Sequence, residues 1–282
     1  MQLITGDKFS RPQMMAAAIA MTFCGHASAM LEEVIVTAQK RAQNLNDVSI
    51  SVTAATAQDI SDMRIETPLD IAKLAPNVDI KSTLAGLNPA ITLRGVGLND
   101  FNVNNNPSVG VYVDEVFLTS PAMLSFMMFD VERVEVLKGP QGTLYGRNTN
   151  GGAINIVSVK PTRETEGYIR LGAGNFDSRE IEAAIGGSLS DAISGRLSLR
   201  LDDRDGQHSW NQGDHTFGDV DSTAIRGQLA YDNGGDFTAN LSVSIGDQTG
   251  TTIPGTAFGT LDANFGTCTG SQILAQQCTD FD

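Results

Sequence analysis

The stretch VERVEVLKGPQGTLYGRNTNGGAINIVS, Val131–Ser158, holds the residues that come nearest to a recognisable chemistry. A glycine-rich loop between two alternating segments, with Lys138, Arg147 and Thr149 at hand, is how backbone N–H groups cradle a phosphate. The spacing argues against it. A Walker loop places Gly-Lys-Ser/Thr at its end, so that the lysine reaches phosphate and the hydroxyl binds magnesium. Here Gly139, Gly142 and Gly146 lead into Arg147-Asn148-Thr149, and Lys138 precedes the loop. A dinucleotide fingerprint needs GxGxxG between a strand and a helix, which is also missing. No GxSxG elbow occurs, and no pair of histidines stands at helical spacing to hold zinc. Asp114 and Glu115 are adjacent in the run SVGVYVDEV, so on a strand they face opposite sides and cannot act as a pair. The residues therefore point to no enzyme, no metal site and no cofactor.

The glycines then read as structure: a corner between two strands, where Gly139-Pro140 ends a strand and Gly142, Gly146 and Gly151-Gly152 permit positive φ. Arg94, Lys138 and Arg147 stand beside such turns. On a small domain held inside a polar lumen, they are expected to meet wall residues of opposite sign. The whole chain has 282 residues and a formal net charge of −14. That acidic balance excludes nucleic acid as a partner, because phosphates require a basic face. At 41% hydrophobic and 18% charged residues it is neither disordered nor a bundle of membrane helices.

The elements that position these residues fall into zones. Residues 1–29 read as an export signal: Lys8 and Arg11, the apolar run Met14–Phe23, then Ala27-Ser28-Ala29 for cleavage. In an exported chain Cys268 and Cys278, close together in a polar stretch, are most simply a disulfide. Residues 30–47 are polar apart from EEVIVTA (Glu32–Ala38). Such a run is either docked on its own chain or open to a partner that adds it as a strand. Residues 48–161 are an α+β domain. A strand SISVTAAT leads to a helix capped by Thr56, a second short helix opens at Thr67-Pro68, and short β runs follow: VDIKS, AITLRG, SVGVYVDEV, VERVEVLKG and GAINIVS. Phe117–Asp130 is expected to be an irregular helix packed on that sheet.

From residue 165 the pattern becomes strict alternation. Ile193, Gly195, Leu197, Leu199 and Leu201 fall on one face, with Ser194, Arg196, Ser198, Arg200 and Asp202 on the other. REIEAAIGGSL, TAIRGQLAY and FTANLSVSIG repeat it, and EGYIRLGA follows it more loosely. Runs of about ten residues, joined by short turns (SDA, DNGGD) on one side and a long polar loop on the other, are the pattern of an outer-membrane β-barrel. Tyr231 and Phe237 flank DNGGD where an aromatic girdle sits. A soluble β-sandwich also alternates, and stays open as the alternative.

ITLRGVG (Ile91–Gly97), VGVYVDEVFL (Val109–Leu118) and VERVEVLKGPQGTLYGRNTNGGAINIVSVKP (Val131–Pro161) resemble the plug-domain signatures of the TonB-dependent outer-membrane receptors, and EEVIVTA resembles their TonB box. The resemblance covers about Glu32 to Gln248. It implies a plug (48–161) inside a transmembrane barrel that begins at 165–282, in the outer membrane of a Gram-negative cell. The implied cargo is a scarce ligand, most often a ferric siderophore; cobalamin and saccharide carriers share the architecture. TonB is the implied energy-coupling partner, pairing with Glu33, Val34, Ile35, Val36, Thr37 and Ala38 by strand addition. Asn99, Asp100, Phe101, Asn102 and Asn104, in the polar loop Leu98–Pro107, are the expected ligand-facing apex, a solvated turn being the alternative. Family barrels have 22 strands, whereas the strand series here ends after Gly246. The sequence is thus expected to hold only the start of the barrel and not to transport by itself.

Overall fold

The computed structural model describes residues 34–83, 88–97, 106–120, 123–124, 127–209, 216–251, 268–269, 271–272 and 278. The export segment, Glu33, the proposed ligand-facing residues Asn99, Asp100, Phe101, Asn102 and Asn104, and His215 lie outside them. The residues from Val34 onward form one unit.

A five-stranded sheet organises the first domain. Its order is β3 (Ser51–Thr56), β9 (Val131–Lys138), β10 (Gly152–Ser158), β7 (Val109–Val113), β8 (Val116–Phe117), with β10 and β7 parallel and the other neighbours antiparallel. Both faces are covered, which is why VGVYV and GAINIVS are buried at every position. On one face Val111, Val134, Val136, Ile154 and Ile156 meet Ile71, Leu93 and Leu124 in the main core. On the other, Leu137, Tyr112, Tyr145 and Ala153 make a second, smaller cluster with Val36 and Ala38. The helix Ala57–Asp62 starts at Thr56 in a capping box with Asp59, and a 3-10 turn spans Pro68–Lys73. A meander of β4 (Val78–Thr83), β5 (Asn88–Leu93) and β6 (Val96–Gly97) stands beside the main sheet. The opening glycine stretch is β9, a single helical turn Gly142–Tyr145, and β10 antiparallel to β9.

Two details depart from the sequence expectation. SVGVYVDEV is a hairpin: Asp114 and Glu115 are its two-residue turn, with φ of 48° and 70°. Positive φ at both central positions matches the twist of the flanking strands. AITLRG likewise ends at Leu93, and Arg94-Gly95 (φ 53° and 79°) turn the chain into β6. Of the glycines expected to take positive φ, Gly146 and Gly152 do so, whereas Gly151 does not and Gly142 begins the helical turn; Gly139, at the strand end, also takes positive φ. Within Phe117–Asp130, Phe117 belongs to β8, while Leu124, Met127 and Met128 fill the core.

The second sheet holds β11 (Glu166–Ala173), β12 (Arg179–Ser188), β13 (Ile193–Arg204), β16 (Val220–Asp232) and β17 (Thr238–Thr249), antiparallel throughout in that order. A small hairpin, β14 (His208–Ser209) with β15 (Thr216–Phe217), lies in the long connection. The sheet is inverted relative to a soluble one. Ile169 is 75% and Ile245 71% exposed, and Leu171, Ile185, Leu197 and Leu241 are exposed with them. Glu182, Arg196, Ser198, Arg226 and Gln228, on the opposite face, are buried. A sandwich hides its apolar face, so this arrangement rules the sandwich out and fits a barrel wall whose apolar side meets lipid. Strands of 12, 13 and 12 residues (β13, β16 and β17) reach across a bilayer at the usual tilt. Tyr231 and Phe237 pack at the short turn with ring centroids 6.0 Å apart. Cys268 and Cys278 are joined by a disulfide, with Cα atoms 6.4 Å apart.

Candidate functional site

Two regions carry side chains in arrangements that the fold alone does not require. The first is the N-terminal segment 34–40, which lies on the back face of the five-stranded sheet. Ile35–Val36 (β1) pairs with Gln43–Asn44 (β2), a two-residue ladder, and Leu45 N–H donates to the Val34 carbonyl. Val36 and Ala38 are buried in the smaller cluster, while Ile35 points outward. Alternation puts Thr37 on the polar side of the contact, where its N–H donates to Glu135 Oε1 at 2.7 Å. Its hydroxyl also reaches Glu135 Oε1 at 3.2 Å and accepts from Arg133 Nη2 at 3.1 Å. The Tyr145 hydroxyl donates to the Ala38 carbonyl, and the Lys40 ammonium sits 4.8 Å from the Tyr145 ring centroid and 3.5 Å from Glu115. Burial, with Glu135 and Glu115 nearby, pushes the Tyr145 hydroxyl well above its ordinary value, so it remains a donor.

The second region is the boundary between the two sheets. Asp130 turns the chain into β9 with φ 48° and is buried. Arg196 of β13 grips it with two bonds, Nε to Oδ2 and Nη2 to Oδ1, each 2.7 Å. Ser198 and Tyr168 hydroxyls donate to the same carboxylate. Glu182 accepts from the Asp130 N–H and from the Tyr168 hydroxyl. Three successive carbonyls are taken up by wall arginines: Arg226 reaches Met127 and Phe129, both at 3.1 Å, and Arg200 reaches Met128 at 3.0 Å. Arg226 also covers the Phe129 ring at 4.4 Å. Gln228 donates to Ser158 at 2.9 Å. Arg196 and Arg200 share a face of β13, and Ser198 between them pairs with Arg226, so strand register alone clusters the three cations.

Two of the expected boundary charges, Arg94 and Lys138, stand together in the first domain. Arg94 donates to Ser51 at 3.1 Å within the first domain, and Lys138 lies beside it on β9, opposite Ser51 in the ladder. Burial and the neighbouring Arg94 hold the Lys138 ammonium below its ordinary value. Among the described residues none of Arg94, Lys138 and Arg147 forms an ion pair with the five wall strands. At this boundary the wall supplies the cations, and the enclosed domain supplies a carboxylate and carbonyls. Arg196, Arg200 and Arg226 were visible as the polar face of the alternation; Asp130 gave no comparable signal. Among the described residues no cluster of three or more His, Cys, Asp or Glu could hold a metal ion, and no helix is long and apolar enough to cross a membrane.

An α+β domain covered on its back face by its own N-terminal strand, and fixed through buried arginines to an inverted antiparallel sheet, is the architecture of a plugged outer-membrane barrel. Residues 44–153 match the family model described as TonB-dependent Receptor Plug Domain. Residues 44–153 of this chain are therefore a plug domain of the TonB-dependent receptor type. The chain is 34% identical over 176 residues to the pesticin receptor of Yersinia pestis, covering 61% of this chain and 26% of that protein. It is 28% identical over 176 residues to the vitamin B12 transporter BtuB of Vibrio vulnificus, covering 62% and 28%. The crystal structure of the ferric yersiniabactin uptake receptor FyuA from Yersinia pestis superposes with a TM-score of 0.65 at 27% identity, over 71% of this chain and 32% of that one. The chain spans about a quarter of the length of the curated relatives it matches.

Proposed function

We propose that this chain is the plug and first wall strands of an energy-coupled receptor that takes up a scarce ligand across the outer membrane, a ferric siderophore in the first instance. The observation that carries the reading is the buried polar face of the second sheet, closed by the plug through Asp130, Arg196, Arg200 and Arg226. A lumen filled by a folded domain passes nothing until that domain moves, so uptake needs work. TonB is the partner that supplies it, pairing by strand addition with Glu33–Ala38. Within this segment Val34–Ala38 is held by few backbone bonds, which keeps displacement feasible. Asn99, Asp100, Phe101, Asn102 and Asn104 are the ligand-facing residues, and Arg94, Lys138 and Arg147 face wall strands other than the five described. Residues 1–29 direct export. The FyuA match favours an iron-loaded ligand. The BtuB match supports a second reading, in which the same architecture carries a cobalamin.

The test is growth of a receptor-deleted strain under iron limitation, complemented with the full gene or with Val36→Pro, on a panel of ferric siderophores. Growth that the gene restores and Val36→Pro does not, at equal outer-membrane levels, supports the reading. Absence of rescue by every siderophore, together with uptake of labelled cyanocobalamin, establishes the second reading instead.

A further inference from the structure

We infer that Glu135 is the positioning residue that holds the coupling segment closed: a carboxylate latch in the plug whose opening frees residues 34–38 for the partner strand. The inference rests on the assignment of that segment as the coupling strand and deepens it.

Glu135 is wholly buried, yet it lies on the face of β9 away from the main core. Strand register puts it in one row that crosses all five strands: Ala54, Glu135, Asn155, Tyr112, Phe117. Segment 34–38 is laid over that row. Five bonds converge on or beside the carboxylate. Oε1 accepts from the Thr37 N–H at 2.7 Å, from the Thr37 hydroxyl at 3.2 Å and from Arg133 Nε at 2.8 Å. Oε2 accepts from Asn155 Nδ2 at 3.2 Å, and Arg133 Nη2 reaches past it to the Thr37 hydroxyl.

These bonds divide into two sets. Those to the carboxylate from Arg133 Nε and Asn155 belong to the plug and survive if the segment leaves, whereas the Arg133 Nη2 bond ends on Thr37 and goes with it. Those from Thr37 belong to the segment and are lost together. A buried carboxylate stripped of every partner would forbid release, because an unpaired charge in the interior is prohibitive. With Arg133 and Asn155 in place the departing segment leaves a compensated group, so the latch can open and close. An apolar residue at 135 would leave the contacts of Val36 and Ala38 and the side-chain bonds from Tyr145 and Arg133, but no acceptor for the Thr37 N–H. The charge-assisted bond to the Thr37 N–H defines one register of the segment on the sheet.

The experiment uses the complete receptor in outer-membrane vesicles, with Ile35→Cys carrying a nitroxide whose spectrum separates immobile from mobile segments. Glu135→Ala is expected to raise the mobile-to-immobile ratio at least about tenfold, the factor that losing a hydrogen bond to a charged group carries. Glu135→Gln, which keeps an acceptor, is expected to give a smaller rise. Thr37→Pro removes the same N–H from the segment side, leaves the plug interior intact, and is expected to match Glu135→Ala. If Glu135→Ala does not assemble, Thr37→Pro decides. Val136→Ala perturbs the opposite face of the same strand and is expected to leave the spectrum unchanged. An immobile label in assembled Glu135→Ala or Thr37→Pro overturns the latch, as does equal mobilisation by Val136→Ala. Capture of the TonB periplasmic domain is measured separately. A label that mobilises without capture sinks the coupling assignment and leaves the latch standing. Capture by the wild type with the label immobile in both variants does the reverse.

Discussion

Asp130 and Arg196 meet across the plug–wall boundary in a two-pronged ion pair, both bonds 2.7 Å long and both side chains almost fully buried. A planar guanidinium matched to a carboxylate gives direction as well as attraction. Because the pair is dry, breaking it from one side leaves the other charge uncompensated. Asp130→Ala is therefore expected to cost about 3–5 kcal/mol of plug–wall stability. Arg196→Ala should cost a similar amount, and the double variant clearly less than the sum, since the second substitution removes the stranded charge. Protease resistance of the plug in detergent-solubilised receptor measures all three. Full additivity would show that the two residues act independently.

Sequence alone resolved the elements that repeat and missed the partners that turns supply. Every wall strand was legible because a period of two is imposed by the strand itself. The lipid face and the arginine face of β13 and β16 followed from counting. The bent positions were hidden. Asp114, Glu115, Arg94 and Asp130 all take positive φ without being glycine, and nothing in a residue's type announces that conformation in advance. Asp130 in particular ends an apolar run and looks like a solvated punctuation mark. Its burial is decided by a strand whose arginine lies 66 residues further on. The docked state of Val34–Ala38 was one of two readings left open, since a short β-branched run fits a partner sheet and its own sheet equally well.

Gly152 is the glycine of the opening loop with least room. Its φ is +149°, and an added Cβ would lie 2.2 Å from the Leu137 carbonyl oxygen and 2.3 Å from Leu93 Cδ2. Leu93 could shift, but the backbone oxygen of β9 cannot do so without breaking the ladder to β10. Gly152→Ala is expected to destabilise the plug by about 2–3 kcal/mol or more through overpacking and backbone strain. Gly142→Ala, with open space around its Cβ, is expected to be neutral. Thermal unfolding of the two variants side by side checks the contrast, and equal melting temperatures would refute it.

Asp70 gives the 3-10 turn Pro68–Lys73 a pH dependence. Burial pushes its carboxyl upward, but hydrogen bonds from Lys73 (2.5 Å) and from the Thr67 N–H (2.9 Å) and hydroxyl (2.7 Å) outweigh it. The group therefore sits below its ordinary 3.8. A depressed carboxyl stabilises the folded state fully above pH 3.8, and that stabilisation is lost as pH falls through the folded-state value. Asp70→Asn is expected to be less stable than the wild type at neutral pH and to converge with it at low pH. Melting temperatures between pH 6 and the acid limit test this; a constant gap would place the effect elsewhere.

The lipid-facing assignment is the most exposed to refutation. Leu197 lies mid-strand on β13, opposite Ile185 and Gly227 and beyond it Val243, all on the exposed face. On a soluble protein, arginine at such an exposed position is harmless. In a bilayer it must be dragged from water, at about 2–4 kcal/mol near the midplane and close to nothing at the interface. Leu197→Arg is accordingly expected to lower the yield of heat-modifiable, membrane-inserted receptor severalfold. Leu189→Arg, at the strand end beside the short turn, should have little effect. The comparison is made by unheated gel mobility of outer-membrane fractions. Equal insertion of the two variants would mean that this face does not meet lipid.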